Sequence, residues 1–434
     1  MEAVEIAGSL PTDTNARTAR SVALASLIGT TVEWYDFFLY GTITGLVFDK
    51  LFFPTGNAFV STMLAYTVYA VGFATRPLGG VIFGHFGDRH GRKPLLVLTL
   101  SIMGVSTFLI GLLPTYATIG VWAPVCLLLL RLLQGIGLGG EWGGAVLMAF
   151  EYAPRRRRGL YASYPQIGLA VGLCLSSGVV ALLTSSMSTE AFMQWGWRAA
   201  FMASIVLVGV GMFIRLRVVE TPAFTKVRDS HAVARVPVKE VFGDYRKNVL
   251  LGWGARYIDG VIFNIYAVFA LTYLIGVLHY SKAAVLSAIT LAAFVLIFTI
   301  PLASRLSDRV GRRRVFGWGA LVCGLSAWPV FAIFHASQSL GAVVGAIVIV
   351  LGVLYAFVYG PEAALFCELF DTRVRYSGIS VVYQISGIVS SSITPLVATT
   401  LLHYGNQQPW LIALYITCVG VLSATCASLM RRTY

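Results

Sequence analysis

Along the 434 residues, long apolar runs alternate with short polar stretches, and each run is long enough to be a bilayer-crossing helix. There are twelve, at about 21–48, 58–83, 95–114, 121–152, 160–184, 197–214, 249–276, 284–303, 315–335, 340–366, 378–402 and 409–430. A helix needs ~20 such residues to span a hydrocarbon core of ~30 Å. The pattern predicts an all-α membrane protein of twelve transmembrane helices. The fourth and tenth runs exceed one crossing, so tilt or a projecting end is expected there. The longest polar segment, 219–246, is the natural joint between a half ending at 218 and a half running from 247 to 434.

The two halves repeat each other. The turn after the second run reads Gly84-His85-Phe86-Gly87-Asp88-Arg89-His90-Gly91-Arg92-Lys93-Pro94, and the turn after the eighth reads Ser304-Arg305-Leu306-Ser307-Asp308-Arg309-Val310-Gly311-Arg312-Arg313-Arg314. Asp88 and Asp308 lie 220 residues apart, about half the chain. Gly91 and Gly311 permit a tight reversal between helices, while each Asp can face a helix N-terminus or an Arg. Glu151, ending the fourth run, parallels Glu368, ending the tenth, and Gln166 and Gln384 stand at similar depths in the fifth and eleventh runs. Symmetry of this kind implies two pseudo-symmetric six-helix bundles that rock about a site near the midplane.

Charge then fixes the expected orientation. Placing the N-terminus in the cytoplasm collects 26 of the 32 Lys and Arg on that side, Arg215 among them. Both termini are expected to be cytoplasmic, in a plasma or bacterial inner membrane, with no cleavable leader in residues 1–20. The net charge of +13 is therefore read as topology, not as a nucleic-acid surface. Only 12% of residues are charged, against roughly 25% in soluble domains. The six cysteines sit in apolar runs without ligand spacing, so neither a metal nor any other cofactor is expected. Six scattered histidines and the absence of a zinc-protease or nucleophile-elbow motif argue against an enzyme.

Ionisable residues inside the runs carry the candidate chemistry, because a charge at the bilayer centre costs ~2.5–3.5 kcal/mol and normally faces a partner or cavity. Glu33 and Asp36 share a face of the first helix with Tyr40, and Arg131 lies at a similar depth in the fourth. The three form either a proton-coupling group, with the acids exchanging a proton as the Arg changes partners, or a permanent salt bridge. Arg76 either binds an anion or neutralises an acid. Arg256 and Asp259, three apart, form either an intrahelical pair or part of the site, with Asn264 nearby. Glu141, among four glycines, is read as a gate-lining acid, and Glu362 as a solvated residue near the cytoplasmic end of the tenth helix. Asp88 and Asp308, with Arg89, Arg92, Arg309 and Arg312, are expected to latch that face in one conformational state and part in the other, and Glu151, Glu368 and Asp259 are counted with them as gating residues.

The paired turns resemble the signature of the major facilitator superfamily. Glu33-Trp34-Tyr35-Asp36-Phe37-Phe38-Leu39-Tyr40-Gly41, Arg76-Pro77-Leu78-Gly79-Gly80, Arg131-Leu132-Leu133-Gln134-Gly135, Gly139-Gly140-Glu141-Trp142-Gly143-Gly144 and Arg373-Val374-Arg375-Tyr376-Ser377-Gly378 resemble the metabolite:proton symporters, a group with carriers for shikimate, α-ketoglutarate, citrate and proline/betaine. Within that group the likeness is greatest to shikimate carriers. Tyr359-Gly360-Pro361-Glu362 departs from those carriers, and Ser304 stands where the second turn usually has Gly, which implies looser packing there.

The expected activity is proton-coupled import of a small organic acid such as shikimate by alternating access, by a monomer in the lipid bilayer. Arg76, Arg131 and Arg256 would contact the acid, with Tyr40, Gln166, Asn264, Tyr383 and Gln384 as further binding residues. A zwitterionic osmolyte of the proline/betaine type is the alternative substrate. Export of drugs or metabolites is disfavoured because Ser163-Tyr164-Pro165-Gln166-Ile167-Gly168 lacks the exporters' fifth-helix motif.

Overall fold

The structure, a computed structural model, describes residues 12–217, 236–337 and 339–430 together with Thr225 and Asp229. Most of the 219–246 joint lies outside the described residues, as do residues 1–11 and the cations Lys226, Arg228, Arg235, Arg431 and Arg432. Among the described residues, eleven helices are long and apolar enough to cross a membrane. They are α1 Arg17–Ile43, α3 Arg92–Leu112, α4 Trp122–Tyr152, α5 Arg155–Ser186, α6 Thr189–Leu216, α7 Arg246–Val277, α8 Lys282–Val310, α9 Arg312–Ala336, α10 Leu340–Cys367, α11 Arg375–Tyr404 and α12 Trp410–Leu429.

The twelfth crossing, α2, consists of two consecutive helices, Ala58–Ala74 and Arg76–His90. Pro77 has no N–H to give to the turn before it, so the ladder breaks there. Thr75 N donating to Val71 O and Gly79 N donating to Thr75 O, each at 3.2 Å, carry the chain across the break. Arg76 sits at this joint, on the first turn of the second piece.

Helices α1–α6 and α7–α12 form two bundles with matching internal packing, α1 lying on α5 and α7 on α11. The bundles meet through α2 on α11 and α5 on α8, a pair of contacts that exchange under the pseudo-two-fold. Small residues make the crossings inside each bundle close: a Cβ on Gly79 would stand 1.9 Å from Ile136 O, and one on Gly139 would stand 2.0 Å from Arg76 O. Outward faces carry exposed Leu98, Phe213, Leu302, Trp318 and Leu396, a surface suited to lipid tails.

Both predicted reversals form. Gly91 and Gly311 join α2 to α3 and α8 to α9 at φ 106° and 108°, a region that disfavours side chains. These turns and the other cation-rich connections define the basic end of the molecule; the opposite end is the far end. Ser304 is fully buried without loosening the packing, because its hydroxyl donates to Ile300 O at 2.8 Å and Gly360 faces it across α10.

Candidate functional site

Four layers stack along the bundle interface from the basic end inward. The outermost is a duplicated latch. Asp88, at the end of α2, accepts backbone N–H bonds from Tyr376 (3.2 Å) and Ser377 (2.8 Å) on the first turn of α11. Asp308, at the end of α8, accepts from Gly159 (2.7 Å) and Leu160 (2.9 Å), where α5 passes from a 3-10 turn at Arg155–Arg157 into α-helix at Arg158. Each carboxylate thus caps a helix N-terminus of the opposite bundle, where orphan N–H groups and the helix dipole favour an anion.

Arginine supports both caps. Arg92 lies 3.6 Å from Asp88 and 3.6 Å from Glu151, and Arg375 reaches Glu151 from the other bundle at 3.2 Å. In the second copy Arg312 pairs with Asp308 at 3.0 Å and with Glu368. Arg89 and Arg309 differ from the gating expectation: both are exposed, because their positions on the helices turn away from the interface, and neither joins an ion pair among the described residues.

The second layer is a floor across the middle of the basic half. Trp142 of α4 stacks on Tyr383 of α11, centroids 3.5 Å apart, and donates from Nε1 to Gln166 Oε1 at 2.7 Å. Gln166 Nε2 donates to Tyr359 O of α10 at 3.0 Å, and Gln384 Nε2 donates to Gly139 O of α4 at 2.9 Å. The two glutamines expected to bind hydroxyls are instead symmetric ties between the bundles in this state, since buried amides take whatever carbonyl the interface offers.

Above the floor lie the charged side chains, all less than a tenth exposed. On the N-terminal side Arg76 packs its guanidinium over Phe73 (4.5 Å) and Phe37 (4.8 Å), with Nε and Nη2 lacking hydrogen-bond partners, and it lies in electrostatic reach of Glu33. Arg131 stacks on Tyr40 at 3.8 Å. Neither Glu33 nor Asp36 forms an ion pair with Arg131 among the described residues. A hydrogen-bonded chain connects Arg131 to Asp36 instead. Arg131 Nη1 donates to Gln134 Oε1 (2.9 Å), Gln134 Nε2 to Thr107 Oγ1 (2.6 Å), and Thr107 Oγ1 to Asp36 Oδ2 (2.6 Å). Asp36 Oδ1 and Glu33 Oε2 have no partner.

On the C-terminal side Arg256 contacts Asp259 Oδ2 at 3.2 Å, Ser390 Oγ at 3.2 Å and the Tyr383 ring at 3.8 Å. Tyr355 donates to Asp259 Oδ1 at 2.5 Å. Glu362, expected in solvent, is fully buried with Oε1 3.6 Å from Arg256 Nε, because Pro361 and Gly360 let α10 bed against α8 and turn this face inward. Asn264 bonds its own helix at Gly260 O (2.8 Å). The fourth layer, toward the far end, is apolar: Phe38 of α1 meets Phe263 of α7 with centroids 6.2 Å apart.

Glu141 is not at the gate. It is fully buried inside the first bundle, where Arg215 of α6 binds both of its carboxylate oxygens and Thr99 donates to it at 2.9 Å. Arg215, counted from sequence among the loop cations, lies inside the bundle and is 4% exposed. Its helix continues one turn beyond the apolar run, and that turn folds onto α3 and α4. Gln134 was signalled by its position three residues after Arg131; Thr107, Tyr355 and Ser390 reach the site from other helices and carry no spacing signal.

The chain matches the Major Facilitator Superfamily over residues 27–395 and again over 258–433. It is 39% identical to the shikimate transporter of Escherichia coli (strain K12) over 419 residues, 95% of this chain and 94% of that one. The chain belongs to the major facilitator superfamily. It is also 32% identical to the proline/betaine transporter of Salmonella typhimurium (strain LT2) over 423 residues, 95% of this chain and 84% of the relative. In fold it matches the proton:xylose symporter XylE bound to 6-bromo-6-deoxy-D-glucose with a TM-score of 0.80 at 17% identity, over 96% of this chain and 97% of that one. The superfamily's twelve-helix, two-bundle arrangement is the one described above.

Proposed function

We propose that the chain imports a small organic acid, shikimate or a related monocarboxylate, together with protons, by alternating access. The observation that carries this is a set of three buried guanidinium groups, Arg76, Arg131 and Arg256, facing the bundle interface beside the partly unpartnered acids Glu33 and Asp36. Arg76 keeps two N–H-bearing nitrogens unpaired, a standing demand for an anion in a low-dielectric site. The resemblance to a shikimate transporter supports the acid as cargo.

The Arg131–Gln134–Thr107–Asp36 chain supports Asp36 as a proton-binding acid, with Glu33 beside it. A carboxylate drawn toward Arg76 or Arg131 would alter that chain and so link cargo to proton. The basic end is read as cytoplasmic, with both termini on that side in the inner membrane. The latch and floor hold that end shut in this state, and the apolar layer of Phe38 and Phe263 lies between the charged groups and the far end. Nothing in the mechanism calls for a second subunit, and a monomer is the proposed unit.

A zwitterionic osmolyte is the second reading. Trp34, Phe37 and Phe73, which now hold the Arg76 guanidinium, form an aromatic group that suits an ammonium as well. Proteoliposomes under an inward proton gradient, offered shikimate, dicarboxylates, aromatic acids and betaines, separate the readings. Accumulation of shikimate that a protonophore abolishes is expected. Accumulation that ignores the protonophore rules out proton symport, and uptake of betaines alone selects the second substrate.

A further inference from the structure

The acid whose surroundings are most telling is Glu362, on α10 in the second bundle. It is fully buried, and neither Oε1 nor Oε2 has a hydrogen-bond partner. Its cationic neighbour is shared. Arg256 directs Nη2 to Asp259 and Nη1 to Ser390, lies face-on to Tyr383, and offers Glu362 only its Nε at 3.6 Å. Asp259 takes the Tyr355 hydroxyl as well. One cation therefore faces two carboxyl groups, and the good contacts go to Asp259.

The groups acting on Glu362 are Asp259 and Arg256 from α7. Tyr355 and Tyr359 on α10 and Tyr383 on α11 share the cluster, and Arg76 lies in electrostatic reach of Tyr383 and Arg256 but is not among the groups acting on Glu362. With both carboxyls ionised the cluster would keep an uncompensated negative charge away from water. An anion without hydrogen bonds is far costlier there than a neutral acid.

We propose that Glu362 is a second proton-binding site, in the C-terminal bundle, whose ionised form competes with the substrate carboxylate for Arg256. This rests on the proton-coupled import of an acid proposed above. With the basic end latched, Glu362 carries its proton and Arg256 is left for Asp259 and the arriving carboxylate. When the basic end opens and the substrate leaves Arg256, the Glu362 O–H bond breaks, the proton passes to water entering from that end, and the electron pair stays on the carboxylate, which closes on Arg256. Asp36 and Glu362 each deliver one proton, so a monoanionic acid crosses with one net positive charge.

Two measurements test this. The first needs no substrate. Infrared difference spectra of the purified protein in proteoliposomes, taken between alkaline and acid pH, are expected to show a carboxylic C=O component that is lost in Glu362→Gln and kept in Asp36→Asn. Asp259→Asn, which frees Arg256 for Glu362, is expected to weaken the same component without altering Glu362, which guards against a misfolded first variant. A component unchanged in both Glu362→Gln and Asp259→Asn overturns the proposal.

The second is the transport current with shikimate as probe. Wild type is expected to move one positive charge per substrate, and Glu362→Gln to move none while labelled shikimate still enters. An unchanged charge-to-substrate ratio in Glu362→Gln overturns the second site. Failure of the wild type to take up shikimate or any acid of the panel strikes the transport reading instead, and the infrared result then decides Glu362 on its own.

Discussion

Asp36 receives a single hydrogen bond, from Thr107, and leaves Oδ1 bare, so its ionisation state is set by very few groups. Replacing it with Asn keeps the shape and removes the proton. Asp36→Asn is expected to abolish gradient-driven accumulation while substrate exchange across the membrane persists, as measured by counterflow in proteoliposomes. Loss of counterflow as well would make Asp36 a structural residue. Thr107→Val removes the donor between Asp36 and Gln134. A hydrogen bond to a charged group is worth about 1.5–3 kcal/mol, so the half-maximal pH of uptake is expected to rise by roughly one to two units as the ionised form loses that support. An unmoved pH profile would detach the chain from coupling. At this level the motif residues Glu33, Asp36, Arg76 and Arg131 were legible because charge inside an apolar run is conspicuous. Glu362 was misread because nearness to a predicted helix end says nothing of which way a side chain faces.

Glycine sets how closely α2 and α4 approach. A Cβ at Gly139 would meet Arg76 O at 2.0 Å and Gly80 N at 2.7 Å, both backbone atoms that cannot swing away. Gly139→Val is therefore expected to cost at least the ~1–3 kcal/mol of an overpacked core and to displace Arg76 with its helix. The check is a lower midpoint of thermal unfolding in detergent together with impaired uptake; a wild-type midpoint would show that the crossing is looser than described. The number and order of helices followed from the sequence, but α2 and α8 run about two turns past their expected ends to His90 and Val310, and neither the break at Thr75 nor the inward last turn of α6 was foreseen. Both involve what a neighbouring helix offers: the Leu132 carbonyl of α4, which the Thr75 hydroxyl reaches at 3.4 Å, in one case, the carboxylate of Glu141 in the other.

Across the molecule, the basic end is held by two like caps, each a carboxylate on two backbone N–H groups, and by the floor of Trp142, Tyr383, Gln166 and Gln384. The far end meets through apolar contacts such as Phe38 with Phe263, without such caps among the described residues. Removing charge from both caps removes interactions present only in the latched state. Asp88→Asn with Asp308→Asn, each costing about 1.5–3 kcal/mol, is expected to shift the population toward a form open at the basic end by roughly a hundredfold or more. The measurement is labelling of a single cysteine at Ser380, in a cysteine-free background, by a membrane-impermeant thiol reagent applied from the basic side. Equal labelling rates with and without the two substitutions would show that the caps do not hold the gate.

Twelve crossings, two related halves, the basic end, the paired turns and a group of intramembrane charges all follow from the order of residues, because each depends on local composition or on a period that repeats within the chain. Which carbonyl Gln166 and Gln384 tie to, whether Glu141 faces a gate or Arg215, and how Arg256 is divided between Asp259 and Glu362 depend on separate helices, from 74 to 245 residues apart in the chain, meeting at one height. Hydropathy places a residue at a depth in the bilayer. Its bearing around the helix, and hence its partner, is set by packing.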